Sequence, residues 1–239
     1  MEPIIALDFA TGKQALDFVS RFDADTPLFV KVGMELYYAQ GPSIIRQLQA
    51  LRPLNIFLDL KLHDIPHTVE QAAYQLGRLG VSLTTAHAAG GSAMLAAAKR
   101  GLLAGAASVG ALPPRLLAIT QLTSTDDAMF HDELQLSGAI SASVSHLAQM
   151  AQAAGADGVV ASAQEAQLLR QVVDPDFLII TPGIRPVGAA IGDQKRVATP
   201  ALAKQWGSSG IVVGRPITQA SDPLAAYAQI NQEWSQTND

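Results

Sequence analysis

A few charged residues stand inside otherwise apolar runs, and their spacing is the first clue to chemistry. In Asp59-Leu60-Lys61-Leu62-His63-Asp64 polar and apolar residues alternate, so on a strand Asp59, Lys61 and His63 share one face. Lys31 interrupts Phe29-Val30-Lys31-Val32-Gly33, Asp8 closes the apolar run that begins at Ile4, and His87 closes Thr85-Ala86-His87. Buried charge is costly unless paired, and a lone lysine in a strand is often half of a structural ion pair. Two acidic and two basic groups converging at one strand end allow something else: an alternating network with a lysine poised to deliver a proton, which suits carbanion chemistry. The structural alternative is that Lys61 snorkels and pairs with Asp59 or Asp64. His87 is either catalytic or a hydrogen-bonded filler and receives no role. His63 and His67 lack metal-site spacing and no cysteine helps them, so no metal is predicted.

A second group lies late in the chain. Thr181-Pro182-Gly183-Ile184-Arg185-Pro186 and Val213-Gly214-Arg215-Pro216 each follow an apolar run. Backbone N–H groups and an arginine fork at such turns bind phosphate, whereas either arginine alone would read as a surface salt bridge.

The elements that must position these groups are short Ile, Val and Leu-rich runs, each followed by an Ala, Leu and Gln-rich stretch with helical spacing. Strands are predicted near Ile4–Asp8, Leu28–Gly33, Asn55–Leu62, Ser82–His87, Leu116–Leu122, Gly158–Ser162, Phe177–Thr181 and Ile211–Gly214. Eight βα units without a Gly-rich turn after the first strand predict a single-domain (β/α)8 TIM barrel over residues 1–239, of class α/β. The polar residues then sit where barrel enzymes keep their catalytic groups, at the C-terminal strand ends. The Ala and Gly-rich region from Ala86 to Ala111 reads as a helix plus loop. The segment Pro182 to Pro200, with Gly183, Gly188 and Gly192, is long enough to be a lid.

Composition narrows the function classes. The 239 residues include no cysteine, which removes thiolate nucleophiles, disulfides and Cys-based metal sites and fits a reducing cytoplasm. A formal charge of −5 offers nucleic acid no general attraction, so a phosphate ligand must be held locally and the partner is small. The start Met1-Glu2-Pro3 is not that of a signal peptide, and Pro113, Pro114 and Arg115 break the longest apolar region, so no membrane span is expected.

The segment Asp59-Leu60-Lys61-Leu62-His63-Asp64-Ile65-Pro66-His67-Thr68 closely resembles the DxKxxD signature region of orotidine 5'-phosphate decarboxylases. Ala6-Leu7-Asp8, Lys31-Val32-Gly33-Met34-Glu35-Leu36-Tyr37, Leu122-Thr123-Ser124, the Thr181 to Pro186 turn, Gly192-Asp193-Gln194-Lys195-Arg196 and Gly214-Arg215-Pro216 also resemble that family, in its order. The resemblance spans the chain. It implies cofactor-free decarboxylation of orotidine 5'-phosphate to the uridine nucleotide, with Lys61 as proton donor, Asp59 beside the substrate carboxylate, and Lys31 and Asp64 completing the charge network. It further implies a homodimer in which Asp64, Ile65 and Thr68 serve the neighbouring subunit's site. Asp8 would bind ribose hydroxyls and Thr123 the pyrimidine edge, while Arg185, Gln194, Gly214 and Arg215 would surround the phosphate. His67 and Gln121 depart from the commonest pattern, at positions that carry no chemistry.

Two rival readings stand beside this one. The 3-keto-L-gulonate 6-phosphate decarboxylases share the barrel and the DxKxxD signature but use magnesium, and carry an acidic metal ligand where this chain has Lys31, a cation that would repel the metal. A non-catalytic nucleotide-binding barrel is the other, opposed by the cost of burying Lys31, Asp59, Lys61 and Asp64 without a reaction to serve.

Overall fold

The structure, a computed structural model, describes residues 1–186 and 198–235. Eight parallel strands close into one barrel in sequence order: β1 (Ile4–Ala6), β2 (Phe29–Val32), β3 (Asn55–Leu62), β4 (Leu83–His87), β5 (Arg115–Ile119), β6 (Gly158–Val160), β7 (Leu178–Thr181) and β8 (Gly210–Val213). Pairing of Ile4 with Val212 and Ile5 with Val213 closes the ring. Helices follow the strands: α1 (Gly12–Val19), α2 (Met34–Gln40), α3 (Ser43–Leu51), α4 (Pro66–Gly77), α5 (Gly91–Ala107), α6 (Ile140–Ala153), α7 (Ala163–Leu169), α8 (Pro200–Gln205), α9 (Arg215–Thr218) and α10 (Pro223–Ser235). All eight predicted strands are present, several shorter at their C-terminal ends than the sequence suggested.

Alternation along each strand makes two cores. Ile5, Val30, Ile56, Leu58, Leu116, Val159, Ile179 and Ile211 belong to the layer between sheet and helices. Ile4, Ala6, Phe29, Phe57, Leu83, Leu117, Ile180 and Val212 fill the lumen. This lumenal plug matters for the site: two residues further along the same rows stand Asp8, Lys31, Asp59 and Thr85, which therefore rest on a dry apolar floor.

Helix α4, which begins just beyond Asp64, is held against α5 by small residues. A Cβ on Gly101 would stand 2.2 Å from the Glu70 carbonyl oxygen, and one on Gly105 would stand 2.0 Å from that of Tyr74. Within the Ala and Gly-rich stretch from Ala86 to Ala111, predicted as a helix plus loop, Gly91–Ala107 forms this closely packed helix and residues 108–111 the turn after it. Thr11 caps α1 in a capping box with Gln14, its hydroxyl accepting the Gln14 N–H while the Gln14 side chain accepts the Thr11 N–H. Among the described residues no helix is long and apolar enough to cross a membrane.

Candidate active site

The sequence-predicted charges of β1, β2 and β3 meet at the C-terminal end of the barrel. The Lys31 ammonium lies 3.3 Å from Asp8 Oδ1 and 3.9 Å from Asp59 Oδ2, and the Lys61 ammonium donates to Asp59 Oδ2 at 2.8 Å. Charges therefore alternate along Asp8, Lys31, Asp59 and Lys61. The Asp59 carboxylate is only 12 % exposed whereas that of Asp8 is 59 % exposed, so the inner pairs work in a less screened setting than the outer one. Room for Lys31 comes from Gly33: a Cβ there would stand 2.9 Å from the Lys31 ammonium.

The local backbone of β3 departs from regular sheet. Leu58 pairs with Thr84 and Leu62 with Ala86, so three residues of β3, Asp59 to Lys61, face the single residue Thr85. Lys61 takes φ +54°, a left-handed conformation that costs a non-glycine residue of order 1–3 kcal/mol. Thr85, fully buried, spans the irregularity. Its hydroxyl donates to Asp59 Oδ1 at 2.9 Å and accepts the Lys61 backbone N–H at 2.9 Å. Sequence reasoning passed over Thr85, although two threonines ahead of a strand-ending histidine were a usable signal.

Lys31, Asp59 and Lys61 line a cavity of about 200 Å³ together with Gln121, Thr123 and Pro182 over apolar walls that include Phe57, Ile119 and Val212. Thr123 thus joins the lysines, as does Gln121, the position noted for its departure from the family pattern. A larger hollow of about 750 Å³ opens at the opposite end, where Asp157 is already held by Lys99 and by the Leu116 N–H. Among the described residues that line it, no alternation of lysines and aspartates like that of the smaller cavity is found.

Beyond β3, Asp64, Ile65 and Thr68 are exposed. Asp64 Oδ1 accepts the Ile65 N–H, and among the described residues Asp64 makes no ion pair with either lysine. The chain thus brings Asp8, Lys31, Asp59 and Lys61 together but leaves Asp64 outside its own cluster. Between Leu62 and Asp64 stands His63, its ring 5.2 Å from that of His87. The His87 pKa is lowered, first by burial, then by His63 and Lys61, against an opposing pull from Asp59.

After β7, the Arg185 N–H donates to the Ala198 carbonyl, and Ile184 and Ala198 form a parallel bridge that ties the base of the long loop. Arg185 is 9 % exposed, and its guanidinium is pulled below the usual arginine range by burial and then by the Arg215 cation. Arg215 opens α9 directly after Gly214, whose Cα faces Asp8: a Cβ there would stand 3.7 Å from Asp8 Oδ2. Two arginines that repel each other at adjacent strand ends suit an anionic ligand. Gln194, Gly188 and Gly192, and with them most of the predicted lid, lie outside the described residues.

The chain is similar to known proteins over nearly its whole length. Residues 1–230 match the Orotidine 5'-phosphate decarboxylase / HUMPS family. An orotidine 5'-phosphate decarboxylase of Lactiplantibacillus plantarum is 57 % identical over 97 % of this chain and 98 % of its own. One from Enterococcus faecalis is 51 % identical over 98 % of each. The crystal structure of orotidine 5'-phosphate decarboxylase from Lactobacillus acidophilus superposes with a TM-score of 0.88 at 46 % identity, covering 98 % of this chain and 99 % of that one.

Proposed function

The chain belongs to the orotidine 5'-phosphate decarboxylase / HUMPS family and is a carboxy-lyase acting on orotidine 5'-phosphate, and from that premise we propose how its residues divide the work. Loss of CO2 from C6 of the pyrimidine leaves an electron pair on a vinylic carbon with no adjacent sink. The Lys61 ammonium stabilises that pair as it forms and then transfers its proton to C6; water reprotonates the amine. Asp59 stands beside the departing carboxylate, and Lys31 holds Asp59 from the other side. No cofactor enters this scheme. The observation that carries it is the fixed order Asp8, Lys31, Asp59, Lys61 with contacts of 3.3, 3.9 and 2.8 Å above an apolar floor. Electrostatic groups held in place before the reaction stabilise a transition state without reorganising.

The remaining roles follow by place. Thr123, in the cavity wall, meets the pyrimidine edge. Asp8 takes ribose hydroxyls, and Arg185, Gly214 and Arg215 receive the phosphate; Gln194, outside the described residues, joins them on the family resemblance alone. Lys31 occupies the position where the magnesium-dependent decarboxylases place a metal ligand, and its ammonium already pairs two carboxylates there, which supports the metal-free reaction.

The cavity is smaller than the ~300–1,000 Å³ of sites that enclose a whole ligand, so it holds the base while other surfaces complete the walls. We assign part of those walls to a second copy of the chain. Asp64, Ile65 and Thr68 would cross a two-fold interface, and Met34, Ile65 and Leu122, exposed apolar residues just past strand ends, offer surface for burial. Residues 1–239 act as one decarboxylase domain, in the cytoplasm, where a cysteine-free enzyme of nucleotide synthesis is at home.

The test is turnover of orotidine 5'-phosphate by the purified chain, with and without a chelator, set against Lys61→Ala. Turnover that resists chelation, with a loss of kcat of about 10³-fold or more in Lys61→Ala and near-parental affinity for the product uridine 5'-monophosphate, is expected. If the variant kept more than about a tenth of parental kcat, Lys61 would not be the proton donor.

A further inference from the structure

We propose that Thr85 is a positioning residue for the decarboxylation, fixing through one hydroxyl both the carboxylate of Asp59 and the backbone from which Lys61 reaches the substrate. The proposal rests on the reading of Lys61 as proton donor and extends it to the strand beside it.

The geometry leaves the hydroxyl little freedom. Three residues of β3 face Thr85 alone, so the regular ladder cannot serve the Lys61 N–H at this point, and the Thr85 oxygen accepts it at 2.9 Å. The same hydroxyl has one proton, and it goes to Asp59 Oδ1, 2.9 Å away. Asp59 Oδ2 then faces both lysines, at 2.8 Å from Lys61 and 3.9 Å from Lys31. One oxygen of the carboxylate is held by a neutral donor and the other by cations, and this fixes the plane of the group. Without the hydroxyl, Asp59 can rotate to share both oxygens between the lysines, and Lys61 loses the bond that supports its left-handed φ of +54°. A displaced ammonium affects the transition state more than binding of a product that carries no carboxylate.

Neighbouring Thr84 supplies an internal control. It is equally buried, but its hydroxyl finds no hydrogen-bond partner among the described residues. Losing that hydroxyl tests damage to β4 without touching the charge network.

The experiment compares Thr85→Val, Thr85→Ser and Thr84→Val in the full chain, measuring kcat, the Kd of uridine 5'-monophosphate and the melting temperature. Thr85→Val is expected to lose about 10- to 100-fold in kcat, the size of a lost hydrogen bond to a charged group, while the Kd changes less than about threefold. Thr85→Ser keeps donor and acceptor and recovers most of the loss; Thr84→Val stays within about twofold of the parent. Thr85→Ala takes the place of Thr85→Val if the latter does not fold. The proposal is overturned if the hydroxyl-free variant keeps parental kcat, or if kcat and product affinity fall together with no recovery in Thr85→Ser. It is also overturned if both hydroxyl-free variants fail to fold, since the hydroxyl would then serve the barrel and not the reaction. A Lys61→Ala variant with substantial turnover would sink the underlying assignment instead, so the two failures are told apart.

Discussion

At the scale of single residues the site depends on small groups that leave space as much as on charged groups that fill it. Gly33 has φ −91°, which any residue can adopt, so its value lies in the missing Cβ and not in its backbone freedom. In Gly33→Ala the new carbon would meet the far end of Lys31, which can swing away, so the fold should survive with little change in melting temperature. Because a misplacement of ~1 Å at a reacting centre can cost ~10²-fold, kcat/KM is expected to fall at least about tenfold. Unchanged kinetics would mean that Lys31 tolerates displacement. His87 poses a different question, that of charge. Its folded pKa lies below the ~6.5 of an unfolded histidine, chiefly through burial. Between those two values the unfolded chain binds more protons than the folded one, so stability rises with pH across the window and is lost as pH falls below ~6.5. Replacing His87 by Gln should therefore reduce the drop in melting temperature between about pH 7.5 and about pH 5.5. Parallel curves for parent and variant would show that the histidine titrates alike in both states.

At the scale of elements, α4 is the lever that holds the loop after β3, and its position is set by contact with α5 at glycine distance. The Cβ of Gly105→Ala would fall on the Tyr74 carbonyl, a backbone atom that cannot step aside cheaply. Overpacking of this kind costs ~1–3 kcal/mol, or about 2–12 °C in melting temperature for a chain of this size. Since Ile65 and Thr68 sit at the start of α4, product affinity should weaken too; a variant that melts and binds like the parent would remove α5 as the support of that loop. These elements were legible in the sequence to unequal degrees. Eight strands could be read because apolar continuity is local. Strands one and five were read as far as Asp8 and Leu122, yet the strands end at Ala6 and Ile119, with one further backbone bond each, from Leu7 to the Lys31 carbonyl and from Thr120 to the Val160 carbonyl. Alternation placed Asp59 and Lys61 on one face. The bulge between them, the left-handed Lys61 and the Thr85 bridge depend on cross-strand register, which emerges only when β3 and β4 pair. The exposure of Asp64 likewise follows from the turn into α4 and not from its neighbours in sequence.

At the scale of the whole molecule, a barrel that assembles Asp8, Lys31, Asp59 and Lys61 while leaving Asp64 exposed on its rim poses a question that one chain cannot answer alone. If Asp64 crosses a two-fold axis, each active site joins Lys61 of one protomer to Asp64 of its partner, and the isologous geometry makes the exchange mutual. Lys61→Ala and Asp64→Ala homodimers would then both be inactive, for different reasons. A heterodimer of the two variants holds one site that has lost both groups and one that has lost neither. Random exchange makes about half of the dimers mixed, and each carries one intact site of two, so activity should rise to roughly a quarter of the parental level. That ceiling is specific to a shared site, because two self-contained sites would each lack an essential group in every combination. The decisive measurement pairs native mass spectrometry, to show that subunits have exchanged, with turnover of orotidine 5'-phosphate by the same sample. Exchange without recovered turnover would place Asp64 outside the partner's site. Recovery near a quarter would make the dimer, and not the barrel, the smallest unit able to carry out the reaction.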